Sequence, residues 1–271
     1  MATVYQAQDL HLNRYVALKI LDHDFTSDPE RLARFHQEAR IASSINHPNV
    51  LTVYDIAQDG REHFIVTELV EGRTLRELID AGPIGLTDAV AIAEGIIGAL
   101  TAAHGYWVVH RDIKPENVMI RDDGVIKVLD FGLAKFTDPA DARSDVHTRP
   151  GLVPGSIRYV APERLRGEAA DPRTDIFSFG AVFYEMLAGV PAFDGPSIGP
   201  MLQKIALNQV EPLSRIRTDV PDELAEIVRK AMEPDPGRRY QSAGEIAEDL
   251  HRARSRLEHL AEPGEKESGR L

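Results

Sequence analysis

At Glu71-Gly72 the sequence changes its periodicity, and with it the kind of structure it can form. Before that point, residues 4–7, 15–21, 50–56 and 63–69 are short runs rich in β-branched and aromatic side chains, the composition of strands. Asp9-Leu10-His11-Leu12-Asn13-Arg14 and Gln58-Asp59-Gly60 separate them as turns. Among these strands, residues 29–44 carry Leu32, Phe35, Ala39 and Ala42 at helical spacing, with Asp28 as cap and Pro29 in the first turn. After Gly72 the pattern is mostly helical: residues 86–104, 174–188, 222–232 and 242–260. Only two short strands remain, 118–120 and 126–129, around the turn Asp122-Asp123-Gly124. Residues 137–154 are polar and without period, a loop of the length that usually carries function or disorder. The expected architecture is a small sheet with one helix, a short hinge, and a larger helical lobe.

Composition narrows the function. The chain has 271 residues, enough for two lobes around a shared cleft. It has no cysteine, which removes disulfide frameworks and thiolate metal sites. A net charge of -12 argues against a broad basic surface, so nucleic acid is not an expected partner. The longest apolar run, residues 89–103, is broken by Glu94, Gly95 and Gly98, and no membrane segment is expected in this chain. Met1-Ala2-Thr3-Val4-Tyr5 reads as a strand and not as a signal peptide, so the expectation is a soluble, cytoplasmic domain.

The densest chemistry is His110-Arg111-Asp112-Ile113-Lys114-Pro115-Glu116-Asn117. It places a base, a cation and a metal-binding amide on one tight loop. Asp130-Phe131-Gly132 follows at the end of a strand. Asn117 and Asp130 together can hold Mg²⁺, a hard ion that prefers oxygen ligands and also takes phosphate oxygens. Phosphoryl transfer needs alignment and charge neutralisation more than covalent help, and these residues supply both.

This set resembles the eukaryotic-type protein serine/threonine kinases, and its phrasing is most similar to the bacterial members. Ala161-Pro162-Glu163, Val16-Ala17-Leu18-Lys19 and Glu38 within Phe35-His36-Gln37-Glu38-Ala39-Arg40 extend the likeness over residues 2–259. The resemblance implies an α+β, bilobal fold: an antiparallel-sheet N-lobe with one helix (1–67), a hinge (68–72), a mainly helical C-lobe (73–260) and a charged tail (261–271). It implies ATP with Mg²⁺, or Mn²⁺ in its place, and protein substrates with serine or threonine acceptors. Asp112 would accept or orient the hydroxyl proton, Lys114 would neutralise the γ-phosphate, and Asn117 and Asp130 would hold the metal. Lys19, paired with Glu38, would grip the α/β-phosphates. Val4, Ala17 and Met119 would sandwich the adenine, the backbone of Glu68 to Val70 would bind its edge, and Thr67 would stand behind it. Asp175 would brace the catalytic loop, Glu163 would pair with Arg239, and His110 would pack in the core against Phe131.

Lys114 and Gly155-Ser156 both resemble the serine/threonine type. Arg111 implies control by a phosphate on Ser144 or Thr148, with self-association for autophosphorylation left open. In the family a Gly-x-Gly-x-x-Gly loop precedes Val4, its last glycine falling at Ala2, so the chain is expected to begin inside that loop. Two other readings stay open: a catalytically impaired fragment or pseudokinase scaffold acting by protein binding, and a small-molecule kinase of related fold. A membrane anchor for the parent protein would lie beyond Leu271.

Overall fold

The computed structural model describes residues 3–21, 29–60, 62–131 and 154–261. The first sheet has four antiparallel strands in the order β1-β2-β4-β3: β1 Thr3–Asp9, β2 Arg14–Ile20, β3 Val53–Asp59 and β4 Glu62–Glu68. Helix α1 (Pro29–Ser43) packs on it through a small core of Ala39, Val53 and Ile65. β3 starts three residues later than its apolar run suggests, because the backbone of residues 49–51 is already committed elsewhere. Val128 N donates to Asn49 O at 2.8 Å, and Leu51 N donates to Val128 O at 3.0 Å. That stretch therefore ties the two lobes together and does not extend the first sheet.

The second sheet, β5 (Gly72–Thr74), β6 (Val118–Arg121) and β7 (Ile126–Val128), lies directly after the connection. Gly72 opens it with φ 149, and a Cβ there would fall 2.2 Å from Ile120 O, so only glycine fits. Helices α2 (Leu75–Ala81) and α3 (Leu86–Gly105) stand against this sheet, and α4 (Pro162–Leu165) and α5 (Pro172–Ala188) follow, with α5 packed on α3. Helices α6 (Ile198–Ala206), α7 (Leu213–Ile216), α8 (Asp222–Ala231) and α9 (Ala243–Ala261) complete the lobe. α2 is set by a capping box: Glu77 N donates to Thr74 Oγ1 and Thr74 N donates to Glu77 Oε2. α5 begins earlier than expected because Asp171 caps it and Pro172 occupies the first position.

The core centres on α3 and α5. Every residue of α5 from Thr174 to Leu187 is buried, including Phe177, Phe179 and Phe183. By length and composition α3 is apolar enough to cross a membrane, a correction to the expectation drawn from its interruptions. It is instead the core helix, with Ala89, Ile96, Ile97 and Leu100 fully buried. At Gly95 it meets β7 closely: an added Cβ would sit 2.6 Å from Ile126 Cβ. Gly95→Ala gains about 1 kcal/mol of helix propensity, but overpacking against a β-branched strand residue costs about 1–3 kcal/mol. A net fall in melting temperature of a few degrees is expected by differential scanning calorimetry. A rise instead would mean that β7 yields.

Candidate active site

The catalytic-loop residues are held from below by one buried carboxylate. Asp175, at the start of α5 and fully buried, accepts from His110 N at 2.7 Å and from Arg111 N at 2.8 Å. His104 Nε2 lies 2.9 Å from the same carboxylate. Arg111 has φ 66, a left-handed conformation rare for a residue with a side chain, and these bonds offset its cost. His110 Nε2 is 2.7 Å from Leu129 O, and a carbonyl only accepts, so this nitrogen carries the proton. Nδ1 then accepts from Asp112 N at 3.2 Å. The His110 ring is buried edge-on against Phe131, with centroids 4.7 Å apart. One imidazole thus links the loop bearing Asp112 to the strand end bearing Asp130.

Asp112, Lys114 and Asn117 converge. Lys114 Nζ is 2.8 Å from Asp112 Oδ2, and Asn117 Nδ2 donates to Asp112 O at 2.8 Å and to Oδ2 at 3.1 Å. Lys114 Nζ also lies 3.5 Å from Ser156 Oγ. Two donors, the Lys114 ammonium and the Asn117 amide, therefore hold the Asp112 carboxylate in place. Asn117 O accepts from Leu129 N at 2.8 Å, which seats Asp130 beside Asn117. With both contacts of its amide nitrogen spent on Asp112, Asn117 has its carbonyl oxygen to offer a cation. Asp130 adds a carboxylate from a left-handed backbone, φ 59. An amide oxygen and a carboxylate are donors of the kind a hard divalent ion prefers.

Across the cleft, the antiparallel register puts Val4 opposite Lys19 and Ala17 opposite Thr67, so the four residues share one face of the first sheet. Lys19 Nζ reaches Asp130 Oδ2 at 2.6 Å, the ion pair that spans the lobes at this site. Glu38 lies on α1, but its side chain is outside the described residues, as are Gly132, Ser144 and Thr148. Met119 sits on β6, half-buried, between Thr74 and Lys127 in the register of the second sheet. Thr67 is buried and its hydroxyl donates to Glu68 O at 3.1 Å. Glu68 N is committed to Thr52 O at 3.0 Å, and Val70 follows it in the connection, half-buried. A separate cleft of about 470 Å³, lined by Leu78, Ile84, Ile92, Ile120 and Ile126, holds none of these residues.

Two features around the site lie outside the expected motifs. Lys127 is buried on β7, with Nζ 2.7 Å from Glu68 Oε1 and 3.3 Å from Val50 O. The same Glu68 oxygen accepts from Thr52 N at 2.7 Å. A lone lysine in the apolar run Val125-Ile126-Lys127-Val128-Leu129 is the clue, because a buried cation needs a partner. Arg76 and Tyr159 meet Glu185 beside the catalytic loop. Burial and the Glu185 carboxylate push the Tyr159 phenol well above its ordinary range, so it stays protonated.

The protein kinase domain profile matches residues 1–251. This chain belongs to the protein kinase family. It is 40% identical to the serine/threonine-protein kinase PrkC of Bacillus subtilis over 254 residues, 93% of this chain and 38% of that protein. It is 40% identical to PknB of Mycolicibacterium smegmatis over 258 residues, 93% of this chain and 41% of that protein. The chain therefore spans about two fifths of the length of these relatives. Among solved structures, the Mycobacterium tuberculosis PknI kinase domain superposes with a TM-score of 0.73 at 26% identity, over 93% of this chain and 91% of that one. The bilobal kinase fold, with its antiparallel N-lobe sheet and helical C-lobe, agrees with that match. Protein kinases use ATP and a divalent metal ion.

Proposed function

We propose that this kinase domain transfers the γ-phosphate of ATP to serine or threonine hydroxyls of proteins. The observation that carries this reading is the convergence of Asp112, Lys114 and Asn117 on one carboxylate, opposite the Lys19–Asp130 pair. The Asp112 carboxylate takes or orients the hydroxyl proton of the acceptor. Lys114, 2.8 Å from that carboxylate, neutralises charge between acceptor and phosphate. Lys19 grips the α/β-phosphates, while Val4, Ala17, Thr67 and Met119 enclose the adenine and the backbone of Glu68 to Val70 meets its edge. Asn117 and Asp130 would hold Mg²⁺, which would supply positive charge to offset that of the phosphates. Lys114, with Ser156 Oγ 3.5 Å from its ammonium, is a cation beside which a short hydroxyl can approach the γ-phosphate, and this favours serine or threonine. Because ATP is a cytoplasmic nucleotide, the domain works on the cytoplasmic side. Phosphorylation of Ser144 or Thr148 raises its activity in this reading, and replacing both with alanine is expected to remove that control.

Intact mass after incubation with Mg²⁺ and ATP tests the reading. Phosphate adducts on serine or threonine are expected for the chain, none for Lys19→Met, and none after EDTA until Mg²⁺ is restored. Equal labelling of Lys19→Met, or no labelling of the chain or of any added protein, would sink the proposal.

A further inference from the structure

Arg76, on the first turn of α2, binds into a set of acids beside the catalytic loop. Its Nη1 lies 2.9 Å from Glu185 Oε1 and 3.3 Å from Asp80 Oδ1, and its Nε lies 3.1 Å from Glu116 Oε1. Its Nη2 donates to Tyr159 Oη at 2.6 Å and to Glu185 Oε2 at 3.4 Å, and Tyr159 Oη donates onward to Glu185 Oε2 at 2.6 Å. Glu185 forms the floor, its side chain 2% exposed, while Glu116 and Asp80 form a rim open to solvent. Burial opposes the charge on Arg76, but the bond to Glu185 more than reverses this and the guanidinium is held charged. A carboxylate buried as deeply as Glu185 needs a cation, and paired oxygens fit the planar fork of a guanidinium.

The position of this seat matters more than its stability. Glu116 stands two residues after Lys114 in the turn Pro115–Asn117, and four residues of chain from Asp112 span at most about 14 Å. Tyr159 closes the turn Pro154–Tyr159, whose Ser156 touches Lys114. Glu116 thus lies within the reach of about four extended peptide residues from a hydroxyl held at Asp112. We propose that Arg76 sets the charge preference of the acceptor site, filling from within the chain a carboxylate seat that would otherwise take an arginine of the substrate. This rests on the phosphotransfer reading above. With the seat filled, the enzyme has no use there for a basic substrate residue.

The test is the ratio of kcat/KM for serine peptides carrying arginine or alanine at each of the positions flanking the acceptor. The wild-type chain is expected to show ratios within about threefold at every position. Arg76→Ala is expected to raise the ratio at one position about 10- to 100-fold, the scale of hydrogen bonds to a buried charge. Adding Glu116→Gln to that variant should reduce the gain, and methylguanidinium should return the ratio towards the wild-type value. A purely structural role of Arg76 would lower both peptides alike, and an unchanged ratio overturns the proposal. If Arg76→Ala does not fold, the wild-type chain decides. An arginine preference above about tenfold that Glu116→Gln abolishes overturns the proposal, and its absence supports it. No transfer to any peptide or protein overturns the phosphotransfer reading and this proposal together, whereas transfer with an unaltered ratio overturns this proposal alone.

Discussion

Arg239→Met is expected to remove about 3–5 kcal/mol from the unfolding free energy, the usual cost of leaving one partner of a buried ion pair alone. Arg239 is fully buried and Glu163 is 5% exposed, and they meet in a fork: Nη1 to Oε1 at 2.8 Å and Nη2 to Oε2 at 2.7 Å. The guanidinium also bonds the carbonyls of Arg173, Glu233 and Pro234, so it fastens α4, the start of α5 and the turn after α8 at one point. Glu163 takes Thr174 Oγ1 at 3.1 Å as well. Without the arginine, a desolvated carboxylate remains with one hydroxyl. In a chain of this size that corresponds to a drop of about 6–20 °C in melting temperature by calorimetry. The double variant Glu163→Gln with Arg239→Met should lose less than the sum of the two single variants, since the interaction can be lost only once. A loss under about 1 kcal/mol for Arg239→Met would mean that water enters and solvates Glu163.

Asp112→Asn is expected to lower kcat for phosphate transfer about 10²- to 10⁴-fold, the range assigned to one positioned general base. The asparagine keeps the size of the side chain and can still accept from Lys114 and Asn117 through its amide oxygen. It cannot take a proton. kcat and kcat/KM should therefore fall together, while nucleotide affinity, which the proposed function assigns to Lys19 and the connection between lobes, stays close to that of the parent chain. Steady-state kinetics beside a fluorescent nucleotide titration separates these quantities. A comparable loss in nucleotide affinity would reassign Asp112 to binding, and transfer within about threefold of the parent would remove it from the mechanism.

What the sequence discloses follows the range of the interactions involved. The loop around Asp112, the Asp130 triplet and the strand of Lys19 are readable because each has its chemistry compressed into a few neighbouring residues. The helical and strand periods locate α1, α3, α5, α8 and α9 to within a few residues. α2 and α6 escape the periodic reading for physical reasons. α2 is only 7 residues long, too short to display a repeat, although its capping pair, Thr74 and Glu77, stands in the sequence. α6 carries Gly199 and Pro200 in its first turn, residues that usually mark loops. Arg76 is out of reach for a different reason. Apart from Asp80 on the same helix, its partners lie 40, 83 and 109 residues away, and no local pattern foretells which distant acids the fold will bring to it. Lys127 and Glu68, 59 residues apart, are the same kind of case.

The Lys127–Glu68 brace has a mechanical consequence for the cleft. It nails the end of β4 to β7, so a rotation of the N-lobe that preserves these contacts must pivot there. In the register of the first sheet Glu68 faces Val16, three residues from Lys19 on β2, which makes the lever arm about 10 Å. A swing of about 10° about that pivot moves Lys19 by about 2 Å. That is enough to carry its ammonium from contact with Asp130 at 2.6 Å to beyond hydrogen-bond range, so a slight flexing at the pivot makes or breaks the ion pair between the lobes.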